Sequence, residues 1–270
     1  MPTVKVNDID IYYEIHGNGE PLVLICGLGG DVTRWYRNIP GLSRDFRVIA
    51  FDNRGAGRSD KPDIPYSMSM MCDDIAGLMD ALDIEKAHIF GISMGGMITL
   101  NFGILHPDRV MSLMPGCTRP GGSHNILGEP GSSSILSPDL IAVMSPEDRG
   151  RAFLPSLWSE AYIENNPDIV DEYIEKTSVY PQDPVGYTRQ MAAADAHDVY
   201  DRLPDITAPS LVIHGSEDSL IPADNARIIA ECIPGAELVV LEGLGHGFYS
   251  QEPEMVNGIL IDFMKRHALS

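Results

Sequence analysis

Positive charge is what this sequence has least of. Its 270 residues carry 19 Lys and Arg against 39 Asp and Glu, a formal charge of −20 at pH 7. A surface this negative repels phosphate backbones and anionic lipid, so neither nucleic acid nor a membrane is expected as a partner. Cysteine is scarce as well. Cys26, Cys72, Cys117 and Cys232 stand far apart with no C-x-x-C, which gives no disulfide framework and no zinc site. Such spacing suits reduced, buried thiols, and a cytoplasmic location is expected. H-E-x-x-H is missing, so no metal is expected. The glycine loops at 27–30 and 55–57 complete neither G-x-G-x-x-G nor G-x-x-x-x-G-K-[ST], which argues against nucleotide binding; no cofactor is expected. The first residues have no apolar core of signal-peptide type, and no repeat stands out. The longest apolar stretch, 17 residues between His88 and His106, is at the short end for a membrane span and holds four glycines plus Ser, Thr and Asn.

What the chain does hold is alternation. With 44% hydrophobic residues and this length, a soluble domain burying roughly three-quarters of its unfolded surface is feasible. Short apolar runs predict strands at 3–6, 9–16, 22–26, 46–52, 86–90, 109–114, 210–214 and 237–241. Between them, Met71, Ile75, Leu78, Met79 and Leu82 recur at helical spacing, and a helix from about Met94 stops at His106-Pro107. Strand, helix, strand, helix implies a parallel sheet with right-handed crossovers. From about Thr118 the rhythm breaks. A loose Gly/Ser/Pro stretch over 120–134 leads to helical segments near 138–144, 146–157, 167–179 and 184–196, read as a helical cap. The expected division is a core of 1–117 and 204–270, with a cap over 118–203.

Within the alternating part of the core, Gly91-Ile92-Ser93-Met94-Gly95 fits G-x-S-x-G, the tight turn that lifts a serine between a strand and a helix. The pattern also arises by chance; the strand before it and the helix after it are what give it weight. A serine hydroxyl is a poor nucleophile at neutral pH and needs a base, itself oriented by a carboxylate. In open-sheet enzymes of this type the order is nucleophile, acid, base. Asp218 lies just past the strand ending at His214, and His246 lies on a glycine-flanked loop just past the next strand. All three positions follow carboxyl ends of strands, where an open α/β sheet places its crevice. The other histidines are read as structural or surface residues. Cys26 is a poor rival nucleophile, because no base is expected beside it.

Taken together, Cys26-Gly-Leu-Gly-Gly30, Asp52-Asn-Arg-Gly-Ala-Gly-Arg-Ser59, Gly91-Ile-Ser-Met-Gly-Gly96, His214-Gly-Ser-Glu-Asp218 and Gly245-His246 resemble the α/β-hydrolase superfamily over essentially the full length. Within it the chain resembles the group of 3-oxoadipate enol-lactonases and small carboxylesterases. The resemblance implies an α/β-hydrolase fold: a mostly parallel eight-stranded sheet, helices on both faces, an inserted helical cap. It implies Ser93 as nucleophile, His246 as general base, Asp218 rather than Glu217 as the acid, and an oxyanion hole from the N–H groups of Leu28 and Met94. Gly27, Gly29, Trp35, Arg149, Arg189 and Phe248 are the candidate substrate contacts. Two positions depart from the family: Cys26 replaces a usual histidine, and Gln251 replaces a frequent glutamate.

The expected reaction is hydrolysis of a small carboxylic ester or lactone through an acyl-enzyme, in a monomer or homodimer. Carbon–carbon hydrolysis of ring-cleavage dienones uses the same triad, although Ile92 argues mildly against it. Perhydrolase or cofactor-free haloperoxidase activity is a further alternative, and a non-catalytic ligand receptor is one of a different class.

Overall fold

The computed structural model describes residues 2–128, 134 and 137–268. Eight strands form one sheet: β1 (Thr3–Val6), β2 (Ile9–His16), β3 (Pro21–Ile25), β4 (Arg47–Phe51), β5 (Ala87–Ile92), β6 (Val110–Gly116), β7 (Leu211–Gly215) and β8 (Glu237–Leu241). Their order is β1-β2-β4-β3-β5-β6-β7-β8. The pairs β1–β2 and β2–β4 are antiparallel, and every later pair is parallel. The central strands are buried on both faces, which is why they read as unbroken apolar runs.

Alternation along each strand divides the core in two. Val23, Ile25, Ile49 and Phe51 point to one face, where they meet α2 (Met68–Ala81), α3 (Met94–Leu105) and α9 (Asp224–Cys232). Leu22, Leu24, Val48 and Ala50 point to the other, which α1 (Ile39–Leu42) and α11 (Pro253–Arg266) cover with Ile39, Val256, Leu260 and Phe263. Each such side chain fully withdrawn from water contributes about 1.5–3 kcal/mol. The apolar stretch between His88 and His106 is thus split: its first four residues end a central strand, Ser93 makes the turn and the last twelve form α3. Among the described residues no helix is long and apolar enough to cross a membrane.

Between β6 and β7 come α4 (Pro138–Val143), α5 (Pro146–Leu157), α6 (Glu160–Asn165), α7 (Pro167–Thr177) and α8 (Pro184–Asp195). A proline in the first turn starts four of these five, a position where its missing N–H costs nothing. Leu154, Leu157, Trp158, Val170, Tyr173 and Ile174 form a third, smaller apolar cluster there. The helix α6, the one-turn α1 and α10 (Phe248–Gln251) were not anticipated, being too short for periodicity to register. Residues 129–133 of the loose stretch at 120–134 lie outside the described residues.

Candidate active site

β5 ends at Ile92 and α3 begins at Met94, so Ser93 alone makes the turn. It adopts φ 57° and ψ −119°, a conformation costing a residue with a side chain about 1–3 kcal/mol. Its surroundings hold it there. The Ser93 N–H donates to Gly116 O (2.9 Å), and Thr118 Oγ1 donates to Ser93 O (2.9 Å). The flanking glycines are a steric requirement: a Cβ on Gly91 would lie 2.2 Å from Gly95 O, and one on Gly95 would lie 2.3 Å from Ile25 O. The serine side chain makes no capping bond to α3. Its hydroxyl therefore stands at a helix N-terminus, where N–H groups and the helix dipole favour developing negative charge.

Past β7, the Asp218 carboxylate is gripped on every side. Oδ1 accepts the N–H groups of Leu220 and Ile221 (2.9 Å each), while Oδ2 accepts from His246 Nδ1 (2.7 Å) and lies 3.0 Å from His214 Nε2. Burial works to raise this carboxyl, but the His246 imidazole and the hydrogen bonds from both histidines outweigh it and hold Asp218 well below the usual carboxylate range. With Nδ1–H committed to a carboxylate, the tautomer follows from the network: His246 Nε2 carries the lone pair a base needs. Ser93 and His246 line one cavity of about 470 Å³. Among the described residues no hydrogen bond joins their side chains, a contact that in unliganded sites tightens when substrate arrives.

Leu28 and Met94 line the same cavity, and among the described residues neither backbone N–H donates to a protein acceptor. Their neighbour differs. Gly29 N–H donates to Gln190 Oε1 (2.8 Å), and Gln182 Nε2 donates to Gly29 O (3.0 Å), so two glutamines from the inserted segment hold the peptide groups on either side of Gly29. Gln190 is itself fully buried, its Nε2 donating to Arg54 O (2.7 Å). Cys26 supports the loop in place of the usual imidazole: Sγ–H donates to Asp31 O (3.1 Å) and Cys26 O accepts from Asn53 Nδ2 (3.1 Å). Burial pushes this thiol far up, with Asp31 and Asp52 adding to the shift, which makes it inert as a nucleophile. Gln251 binds across to the inserted helices, its Oε1 accepting from Ser159 N (3.2 Å). Among the described residues no cluster of three or more His, Cys, Asp or Glu side chains is arranged to hold a metal ion.

Of the candidate substrate contacts, Gly27, Gly29 and Arg149 line the cavity and three others do not. Trp35 is fully buried between Phe90 and Tyr249 (ring centroids 5.4 and 5.0 Å away), and Phe248 is fully buried beside Tyr249. Their large apolar surfaces are worth more in the core than on a wetted wall. Arg189 turns outward to an ion pair with Asp63 (2.6 Å). In each of the first two cases the chain neighbour takes the place: Arg34 and Tyr249 line the cavity, as do Tyr173 and Arg119. His214, taken as merely structural, holds the acid. Its spacing of four residues before Asp218 was the available signal.

Comparison with known proteins agrees with this architecture. A family model described as alpha/beta hydrolase fold matches residues 20–127, and one described as TAP-like protein matches 180–269. The protein named carbamate hydrolase RutD of Azorhizobium caulinodans is 31% identical, over 97% of this chain and 98% of its own length. The enol-lactonase of Burkholderia xenovorans superposes with a TM-score of 0.86 at 28% identity, covering 98% of this chain and all of its own. A thermophilic esterase of Thermogutta terrifontis, solved with malate bound, superposes with a TM-score of 0.84 at 26% identity, covering 99% and 100%. The chain belongs to the α/β-hydrolase fold family and is a hydrolase of that fold.

Proposed function

We propose that the protein is a serine hydrolase cleaving small carboxylic esters or lactones through an acyl-enzyme. The observation that carries this is a strained serine sharing a cavity with an imidazole whose far nitrogen is fixed by a buried carboxylate. Ser93 Oγ attacks the carbonyl carbon as His246 Nε2 takes its proton. The oxyanion sits against the N–H groups of Leu28 and Met94, each such donor being worth about 2.7–4 kcal/mol in the transition state. His246 then returns the proton to the leaving alkoxide, activates a water on the acyl-enzyme and releases the acid. Asp218 keeps the imidazole in one tautomer and stabilises its cation. Residues 118–203 are the cap that closes over the substrate, and the four free cysteines are in keeping with a cytoplasmic location.

The enol-lactonase and esterase among the structural neighbours support the ester or lactone reading. The relative named as a carbamate hydrolase, matched along 98% of its length, favours a second one: the same attack on a carbamate carbonyl. Rates on 4-nitrophenyl esters, lactones and carbamates, each with Ser93→Ala as control, separate the two. Ser93→Ala is expected to lower the rate on the preferred class by at least 10³-fold. Turnover that survives this substitution would remove the mechanism.

A further inference from the structure

Three of the few basic residues in this acidic chain, Arg34, Arg119 and Arg149, line the cavity that holds Ser93 and His246. Arginines elsewhere find carboxylates: Arg151, two residues along α5 from Arg149, pairs with Asp171 (2.8 Å) on the surface, and Arg189 pairs with Asp63. The cavity arginines do not do so to the same degree. Arg149 has no carboxylate partner among the described residues; its guanidinium lies 5.7 Å from the Tyr187 ring. Arg34 donates to Tyr173 Oη (3.2 Å) and lies 5.8 Å from that ring. Arg119 donates to Ala194 O (3.1 Å), approaches Asp195 only to 3.8 Å and leaves Nε buried without a partner. Of the carboxylates on the wall, Asp31 is taken up by the Thr33 N–H (2.8 Å) and hydroxyl (2.5 Å) and also gives Arg34 a nearby negative charge, and Asp195 is largely exposed beside Arg119. Among the described residues Arg149 is thus the cavity arginine left without a counter-charge. Burial lowers both Arg149 and Arg119 below the ordinary guanidinium value, Tyr187 and Asp195 pulling the other way. A cation partly stripped of water with no counter-charge is costly, and an anion brought by the ligand relieves that cost.

We infer that the substrate carries a carboxylate apart from its scissile carbonyl, and that Arg149, with Arg34 beside it, receives that carboxylate. The guanidinium fork matches a carboxylate with two parallel hydrogen bonds, which an ammonium does not reproduce. The field of the whole protein repels anions, so attraction is confined to this wall and selects substrates by where their charge sits. For turnover this rests on the serine-hydrolase reading; for binding it does not.

The test compares mono-4-nitrophenyl glutarate with its neutral methyl ester, and titrates free glutarate calorimetrically into the Ser93→Ala protein. The ratio of kcat/KM, anion over neutral, is expected to exceed one and to fall about ten- to hundredfold in Arg149→Gln. Arg149→Lys restores part of it, and Arg151→Gln, which removes the same formal charge at the surface, leaves it unmoved. Glutarate is expected to bind Ser93→Ala saturably and to bind Ser93→Ala/Arg149→Gln at least tenfold more weakly. A ratio at or below one together with glutarate binding that ignores Arg149 overturns the inference. Undiminished turnover of the neutral diester by Ser93→Ala sinks the serine reading instead, and the glutarate titration then still decides the carboxylate site.

Discussion

The rim of the sheet and the helices between β6 and β7 enclose one cavity, yet they are built by opposite means. At the rim, position is set by backbone against backbone. A methyl group on Gly91, Gly95 or Gly215 would lie within 2.3 Å of a carbonyl oxygen, and Ser93 is held in a strained conformation by bonds to Gly116 and Thr118. The segment between β6 and β7 reaches the cavity through side chains: Gln182 and Gln190 on the main chain at Gly29, Tyr173 on Arg34, Arg149 over Tyr187. Its own apolar cluster is small. Main-chain packing leaves no slack, which suits groups that must meet within fractions of an ångström. Side chains can be exchanged one at a time without disturbing the sheet, which suits the choice of substrate.

The sharpest way to break this comparison is at the rim. Asp218→Asn keeps the shape of the side chain but cannot hold Nδ1–H of His246 as a carboxylate does, and kcat on a 4-nitrophenyl ester is expected to fall about 10⁴-fold with the far-UV circular dichroism intact. A loss below tenfold would show that the rim does not depend on this carboxylate.

Next comes the seam. His197 bridges the two regions: Nδ1 accepts from Asn101 Nδ2 of α3 (3.2 Å) and Nε2–H donates to Arg119 O (3.1 Å). Burial, only partly countered by that carbonyl, lowers its pKa from 6.5 to about 4. The fold therefore favours neutral His197. The stability it contributes is complete above pH 6.5 and is lost as pH falls toward 4, by up to roughly 3 kcal/mol. Urea midpoints of wild type and His197→Gln, measured from pH 7 to 4.5, should converge on acidification; parallel curves would mean the histidine is not the sensitive group.

The smallest effect belongs to the inserted helices. Gln190→Ala leaves the Gly29 N–H and Arg54 O without their partner in a dry site, a penalty of about 1–3 kcal/mol each before water enters. The protein is expected to fold, with kcat lowered about tenfold and KM for a neutral ester changed less. If kcat were unmoved, the clamp would have no part in placing the Leu28 N–H.

Much of the rim was legible in the chain. Eight apolar runs became eight strands, and their order with the helices between them implied the parallel sheet. Serine, aspartate and histidine were picked out by their places after strand ends, and the structure brings the aspartate onto the histidine and the histidine into the serine's cavity. The walls were less legible. On short helical turns, neighbouring side chains point about 100° apart, so a choice between adjacent residues is a choice of face. Trp35 and Phe248 went to the core, and Arg34 and Tyr249 took the wall. Arg189 and Arg149 look alike in sequence, both lying in helices of the inserted segment. Asp63, 126 residues from Arg189, draws that one outward, and nothing near it in the chain foretells the pairing.

By itself, then, the amino-acid order determined the elements whose signals are local: apolar periodicity, prolines at helix starts, glycines where the backbone must turn sharply. It also determined which residue types stand at strand ends, and with them the chemistry the molecule is equipped for. Only the tertiary structure decided which arginines lose their partners, which histidine holds the acid and which glutamines grip the loop at Gly29. Those contacts join residues tens to more than a hundred positions apart, or four apart around a buried carboxylate, and close only when the sheet and the inserted helices have packed together.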